Sequence, residues 1–115
     1  MRLAEHEREA LDHVIAYYEG GGKVGISEYA CVYFTPGGGH CAVGVLLKRA
    51  GMTACDYVGP VYTLMEARPE ARVALQGLSE TLLKRMQQCH DNSALRGSAA
   101  VADALRKLRN ECEVV

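Results

Sequence analysis

The stretch from Cys41 to Leu47 constrains the fold more than any other part of this sequence, because it has no polar face. A proline followed by glycines at 36–39 predicts a turn before it, and Lys48, Arg49 and a glycine at 51 predict its end. A helix that is apolar on every side must be covered by its neighbours. We therefore expect a central, buried helix that begins near Cys41.

Apolar side chains at helical spacing predict further helices around this one. Leu11, Val14, Ile15 and Tyr18 define a first helix at about residues 3–19, with acidic residues on its other faces, and glycines at 20–22 end it. Prolines predict helix starts at 60 and 69. An apolar stripe from 75 to 89 continues the second of these to 90–91, and a last helix covers about residues 98–112.

Residues 23–34 are rich in valine, isoleucine and aromatic side chains, which favours one or two short strands or a hairpin. The 115 residues are a typical length for one domain, which we assign to residues 1–115. The predicted fold class is mainly α with a small β element (α+β). Four to five helices surround the buried central helix, and the short strand or hairpin precedes it.

Charge and composition limit the classes of function. The formal net charge is −1 and the isoelectric point is about 6.4, so no overall field attracts nucleic acid or an anionic membrane. No apolar run approaches the length of a membrane span, and the N-terminus lacks an export signal. The five cysteines include no Cys-x-x-Cys pair. We expect a cytoplasmic protein with reduced thiols, no membrane contact and no cofactor.

The glycine turn contains the first candidate site, formed by Gly38, Gly39, His40 and Cys41. Free N–H groups and the dipole at a helix start attract an anion, and glycines let it approach the backbone closely. The same field lowers the pKa of a thiol, which would make Cys41 prone to ionise. Alternatively, the glycines form only a turn.

His90 and Asp91 form the second candidate, at the end of a long amphipathic helix. With Cys41 they supply the residue types of a Cys–His–acid site, in which histidine takes the thiol proton and the carboxylate orients the ring. Adjacent side chains usually diverge, so Asp91 would have to curl back or another acid would replace it. Alternatively, His90 only caps the helix by bonding a carbonyl group.

Three other patterns in the sequence bear on function. Only one set of cysteines and histidines could supply the ligands of a metal site. These residues lack the spacing of a zinc knuckle, so no metal is predicted. Nucleic-acid binding through basic pairs is a less favoured alternative. Tyrosines favour partner binding or the rim of a core. The metal set is Cys31, His40, Cys41, Cys89 and His90; the basic groups are Lys48-Arg49, Lys84-Arg85 and Arg106-Lys107-Arg109; the tyrosines are Tyr17, Tyr18, Tyr29, Tyr33, Tyr57 and Tyr62.

Two motifs in order resemble a family of small uncharacterised proteins from bacteriophages and prophages. The family pattern is a Cys-x-Tyr strand, a glycine turn and Cys-Ala-[Ile/Val]-Gly-x-Leu, followed by a helix ending in Leu-x-x-Leu-Gln-x-x-His-Asp. Here the motifs read Cys31-Val32-Tyr33, then Cys41-Ala42-Val43-Gly44-Val45-Leu46, then Leu83 through Met86-Gln87-Gln88-Cys89-His90-Asp91. The resemblance covers about residues 31–108. Met86 replaces the usual leucine, and Val45 stands where many members have a second cysteine.

The resemblance implies a phage-encoded protein acting inside a bacterial host, with no activity attached to it. It singles out Cys31, Tyr33, Cys41, Gly44, Gln87, His90 and Asp91. We expect Gly44 to allow the strand or the long helix close to the central helix. We also expect His90 to fix the strand turn by a hydrogen bond.

These observations support one leading hypothesis and two alternatives. The first is a non-enzymatic accessory protein that binds and modulates a host protein or a small nucleotide-like ligand, for example as an anti-defence inhibitor. Its candidate ligand-binding residues are Tyr33, Gly38, Gly39, His40, Cys41, Gln87 and His90. The alternatives are a small cysteine hydrolase or transferase using Cys41, His90 and Asp91, and a nucleic-acid-binding protein. Homo-oligomerisation is left open.

Overall fold

The computed structural model describes residues 1–26 and 32–114, and these form a mainly helical fold with a small parallel sheet. The element bounds are β1 (Arg2–Leu3), α1 (Glu5–Glu19), α2 (Ala42–Arg49), α3 (Val61–Ala67), α4 (Pro69–Ala74), α5 (Glu80–Ser93), α6 (Ser98–Glu111) and β2 (Glu113–Val114). A 3-10 turn, Ala94–Arg96, joins α5 to α6. The predicted fold class is confirmed.

Helix α2 is the buried central helix that its sequence predicted. Every residue from Ala42 to Leu47 is buried, with Ala42, Val43 and Leu47 fully inaccessible to solvent. Helices α1 and α5 both pack against it, and α6 packs against α1 and α5. The sequence could predict this burial because a segment with no polar face is stable only where other elements cover it completely.

The small sheet lies elsewhere than predicted. Strands β1 and β2 pair in parallel at the two chain ends, with Arg2 opposite Glu113 and Leu3 opposite Val114. In the predicted region 23–34, the described residues include the isolated bridges Val24–His40 and Phe34–His40 but no strand of the small sheet. Residues 27–31 of that prediction lie outside the described residues. Pairing of chain ends depends on how α1 and α6 pack, which local composition does not encode.

The helix predicted to continue from 69 to 91 is instead two helices, and this prediction was wrong. Gly77 has a φ of +84°, a left-handed conformation that interrupts a helix, in the turn between α4 and α5. Ser79 then caps the new helix, since its hydroxyl oxygen accepts a 3.2 Å hydrogen bond from the Leu82 N–H. The described residues therefore contain six α-helices rather than four or five.

Glu7 fixes this turn, although its sequence position suggested an exposed acidic face. One carboxylate oxygen accepts a 2.9 Å bond from the Ser79 N–H and the other a 3.2 Å bond from the Ala4 N–H. Burial raises the pKa of Glu7, but these hydrogen bonds outweigh burial and the resulting pKa lies below its usual value. Glu7 therefore joins the starts of α1 and α5.

Candidate functional site

Cys41 is the N-cap residue of α2, and the donors at this helix start are already bonded. The Cys41 sulfur accepts a hydrogen bond of 3.4 Å from the Gly44 N–H, and the Gln87 side-chain oxygen accepts one of 3.3 Å from the Val43 N–H. Ala42 and Val43 are fully buried. An anion at this helix start would have to displace both side chains, so the geometry does not favour the anion site expected there.

The Cys41 thiol is not prone to ionise, contrary to the expectation from its place at a helix start. Its side chain is fully buried, and burial raises the pKa of Cys41 to about 12. The hydrogen bond from Gly44 lowers the pKa but does not offset the loss of solvation. The thiol is therefore protonated at neutral pH.

His90 is fully buried, and both of its ring nitrogens are hydrogen-bonded. Nε2 accepts a 3.0 Å bond from the Gly25 N–H, so the ring proton lies on Nδ1, which donates across 3.0 Å to Asp91 Oδ1. Asp91 thus curls back onto its neighbour, which adjacent residues seldom do. The N–H bound by His90 belongs to Gly25, in the segment predicted to form strands, and this bond occupies the lone pair that would accept a thiol proton.

Gly25 connects the regions of Cys41 and His90. Its N–H bonds to His90, and a Cβ atom added to it would overlap the backbone nitrogen of Cys41. This glycine was not among the candidate residues, although a glycine inside a β-prone segment is a recognised sign of close backbone approach. Gly44 behaves as expected: a Cβ there would overlap the carbonyl oxygen of Tyr33.

Five of the seven candidate ligand-binding residues are divided between two cavities, whereas Gly39 and His90 line neither. The first, which we call the loop cavity, has a volume of about 720 Å³ and is lined by residues 34–36, Gly38, His40, Lys48 and residues 51–56. The second, the Asp91 cavity, has a volume of about 390 Å³ and is lined by residues 32–33, Cys41, residues 58–61, Gln87 and Asp91. His40 and Cys41 are neighbours in the chain but line different cavities, as side chains in extended backbone do.

His40 is the buried polar group of the loop cavity. Its side chain is 5 % exposed, and its ring makes edge contacts with Phe34 and Tyr17 at centroid distances of 4.6 and 5.8 Å. Within residues 1–26 and 32–114, Nδ1 of His40 is buried without a hydrogen-bond partner. Burial lowers the pKa of His40, and the positive charge of Lys48 lowers it further, so the ring is neutral at pH 7.

The charged groups of the loop cavity leave one cation without a counterion. Asp56 lies 2.9 Å from Arg68, which neutralises it. Lys48 is exposed and forms no ion pair with any carboxylate in the described parts of the chain. The cavity therefore combines a free positive charge, a neutral buried imidazole and the apolar side chains of Phe34 and Met52.

The other sequence patterns have structural roles. Tyr17, Tyr18 and Tyr33 donate hydrogen bonds to the carbonyl groups of Lys23, His40 and Gly59 at 2.8, 2.7 and 2.7 Å. Tyr29 lies outside the described residues. These three tyrosines therefore hold loops in place.

The arginines of the basic groups are engaged in ion pairs. Their arginines are neutralised by carboxylates: Arg49 by Glu9 at 2.9 Å, Arg85 by Glu111 at 3.2 Å, Arg106 by Glu19 at 2.9 Å and Arg109 by Asp12 at 2.9 Å. Two of these ion pairs connect α1 to α6. Ion pairing of these arginines therefore leaves fewer free cations for contact with a nucleic-acid backbone.

Among the described residues, no three histidine, cysteine or acidic side chains converge as metal ligands. Cys31, one of the candidate metal ligands, lies outside the described residues. No helix in the described ranges has the length and apolar character needed to cross a bilayer. Comparisons of the chain with protein-family models, curated proteins and solved structures found no match.

Proposed function

We propose that this protein is a non-enzymatic binding domain whose loop cavity takes a small anionic, nucleotide-like ligand. The observation that carries the proposal is that one cavity of about 720 Å³ is lined by both Lys48, which has no ion-pair partner among the described residues, and His40, whose buried Nδ1 atom lacks a hydrogen-bond partner there. That volume is within the range of roughly 300–1,000 Å³ typical of small-molecule sites. The other polar candidates are already engaged in protein contacts.

Each part of the proposed ligand matches a feature of the cavity. The anionic group pairs with Lys48 at the solvent side. The planar apolar part packs against Phe34 and Met52, and a polar ring atom bonds to Nδ1 of His40. A buried polar atom without a partner costs about 1–3 kcal/mol, so a ligand that bonds to it gains affinity and selectivity.

A binding domain of this kind catalyses no reaction and acts by binding its ligand. The resemblance to phage proteins suggests the setting: an accessory protein in the cytoplasm of a bacterial host that lowers the free concentration of a nucleotide signal, as an anti-defence inhibitor would. The buried, protonated Cys41 and the doubly bonded His90 favour this hypothesis over the cysteine hydrolase.

Isothermal titration calorimetry with AMP, a cyclic dinucleotide, adenosine and inorganic phosphate tests the proposal. We expect a phosphorylated nucleoside to bind and adenosine to bind more weakly, since adenosine lacks the anion. Lys48→Gln should weaken nucleotide binding at least about tenfold, equivalent to about 1.4 kcal/mol. The control Lys84→Gln changes an equally exposed lysine outside the loop cavity and should leave the affinity unchanged.

Two results would contradict the proposal. The first is no heat of binding from any of the four probes, together with no increase in melting temperature. A bound ligand at about 100 times its Kd stabilises a protein by about 2.7 kcal/mol, so the temperature measurement is sensitive. The second is an equal loss of affinity in Lys48→Gln and Lys84→Gln, which would indicate a nonspecific charge effect.

A further inference from the structure

We infer that the Asp91 cavity is a second binding site and that it takes a small organic ammonium ion. The inference concerns other residues than the proposed nucleotide site and does not depend on it. It rests on how Asp91 is held: the carboxylate is oriented by two side chains that carry no positive charge and has no cationic partner among the described residues.

Two neutral donors converge on one oxygen of Asp91. Oδ1 accepts a hydrogen bond of 3.0 Å from Nδ1 of His90 and one of 3.3 Å from Nε2 of Gln87. Nε2 of His90 accepts the hydrogen bond of the Gly25 N–H, so Nδ1 is the ring nitrogen that donates to Asp91. In residues 1–26 and 32–114, no lysine or arginine nitrogen lies within 4.0 Å of this carboxylate.

The other three aspartates differ from Asp91 in having arginine partners. Asp12, Asp56 and Asp103 each lie within 2.9 Å of an arginine nitrogen. Their charges are neutralised at the surface, as is usual for exposed acids beside arginines. Asp91 alone among these four lines a cavity with its charge uncompensated.

Both donors are themselves anchored to the backbone. His90 is fixed by Gly25, and Gln87 is fixed because its side-chain oxygen accepts the Val43 N–H at 3.3 Å. These contacts orient Nδ1 of His90 and the amide nitrogen of Gln87 toward Asp91. Oδ2 has no hydrogen-bond partner within the described ranges. Supporting bonds of this kind hold a ligand-binding group in one orientation and reduce the entropic cost of binding.

The position of Asp91 in α5 adds to the negative potential. It lies in the last turn of the helix, where the dipole is negative and a carboxylate is disfavoured. A cation bound to Oδ2 relieves both the uncompensated charge and this repulsion. The charge of the site therefore selects a cation.

The cavity walls select an organic cation rather than a metal ion. Val32, Val58, Pro60 and Val61 line the cavity, and Tyr33 is held there by its bond to Gly59. Within the described residues, no set of three metal-ligating side chains includes Asp91. A short hydrocarbon or aromatic stem fits these walls, with the ammonium group at Asp91.

The test compares benzylamine with benzyl alcohol and benzoate, which have similar shapes and different charges. Each is titrated into the full chain and followed by amide chemical shifts in two-dimensional nitrogen–proton NMR spectra. We expect saturable amide shifts for benzylamine at residues 32–33, 58–59, 61 and 87, with a Kd of about 1 mM, as is usual for a fragment of this size. Benzyl alcohol should bind at least about tenfold more weakly, and benzoate should not bind.

Variants separate the charge of Asp91 from its structural role. Asp91→Asn retains an oxygen that can accept the bonds from His90 and Gln87, but should weaken benzylamine binding at least about tenfold. Asp103→Asn, on helix α6 and outside the lining of the Asp91 cavity, should not change it. Equal binding of benzylamine and benzyl alcohol to the unmodified chain would overturn the inference, and this result needs no variant to fold. Unchanged benzylamine binding by a folded Asp91→Asn protein would also overturn it.

Discussion

Nε2 of His90 accepts a hydrogen bond of 3.0 Å from the backbone N–H of Gly25. This bond joins α5 to the segment that packs against the start of α2, and it determines the tautomer of a fully buried imidazole. The same bond disfavours a role for His90 as a general base, because the ring lone pair that would accept a proton is occupied by the protein backbone.

Replacing His90 tests this structural role. His90→Ala removes the partner of a buried N–H and leaves a cavity, so we expect a loss of about 2–4 kcal/mol in the free energy of unfolding. Urea denaturation followed by circular dichroism measures it. His13→Ala, which changes an exposed histidine, should alter stability by less than about 0.5 kcal/mol. Equal effects of the two substitutions would contradict the role assigned to His90.

Replacing Gly44 tests the close approach of the Tyr33 backbone to α2. A Cβ at this position overlaps the Tyr33 carbonyl, so Gly44→Ala should destabilise the protein by about 1–3 kcal/mol despite the better helix propensity of alanine. Gly37→Ala is the matched control, because a Cβ there meets only Nζ of Lys23 at 3.9 Å. Midpoints of thermal unfolding compare the two variants, and a stabilised Gly44→Ala protein would show that the backbones are farther apart.

The cysteines should differ in reactivity with iodoacetamide. Cys41 is fully buried and its pKa is raised to about 12, so it should remain unlabelled in the folded protein at pH 8 and react only after denaturation. The partly exposed Cys55 serves as the internal reference and should react at once. Mass spectrometry of tryptic peptides gives both rates. Rapid labelling of Cys41 that is lost in His90→Ala would restore the hydrolase hypothesis.

The lowered pKa of His40 predicts a dependence of stability on pH. In the unfolded chain the histidine titrates near 6.5, whereas in the folded protein burial keeps it neutral to a lower pH. Below pH 6.5 the unfolded state therefore binds more protons, so stability decreases as the pH falls from 6.5 toward the folded pKa and is complete above 6.5.

Comparison with variants isolates this effect. His40→Phe should reduce the change in unfolding free energy between about pH 7.5 and pH 5.5, whereas His13→Ala should reduce it less, since His13 is exposed. Urea midpoints at both pH values provide the measurement. An unchanged pH dependence in His40→Phe would mean that His40 is solvated.

The parts of the fold that follow from local pattern were predictable, and those that depend on distant contacts were not. The buried α2 follows from a run without polar residues. The break between α4 and α5 was missed because an apolar stripe continues across Gly77, although glycine before a capping serine is the relevant signal. The pairing of β1 with β2 requires the chain ends to meet, and no local pattern encodes that.

The sequence singled out residues that line both cavities, but it did not separate the two cavities. Tyr33, Cys41, Gln87 and Asp91 do share one cavity. The two cavities are separate because His40 and Cys41 project to different sides. Residues 51–56 line the loop cavity because of the path that their loop takes, which the sequence pattern does not reveal. Burial also reversed the expected pKa shift of Cys41, because the depth of a side chain cannot be obtained from its position at a helix start.

The most direct test of the proposed function is an NMR titration of the full chain with AMP. Chemical shift changes centred on Lys48 and residues 51–56, with little change at Gln87 and Asp91, are the predicted result. Changes centred on Gln87 and Asp91 with residues 51–56 unaffected would place the nucleotide site in the other cavity and contradict the account.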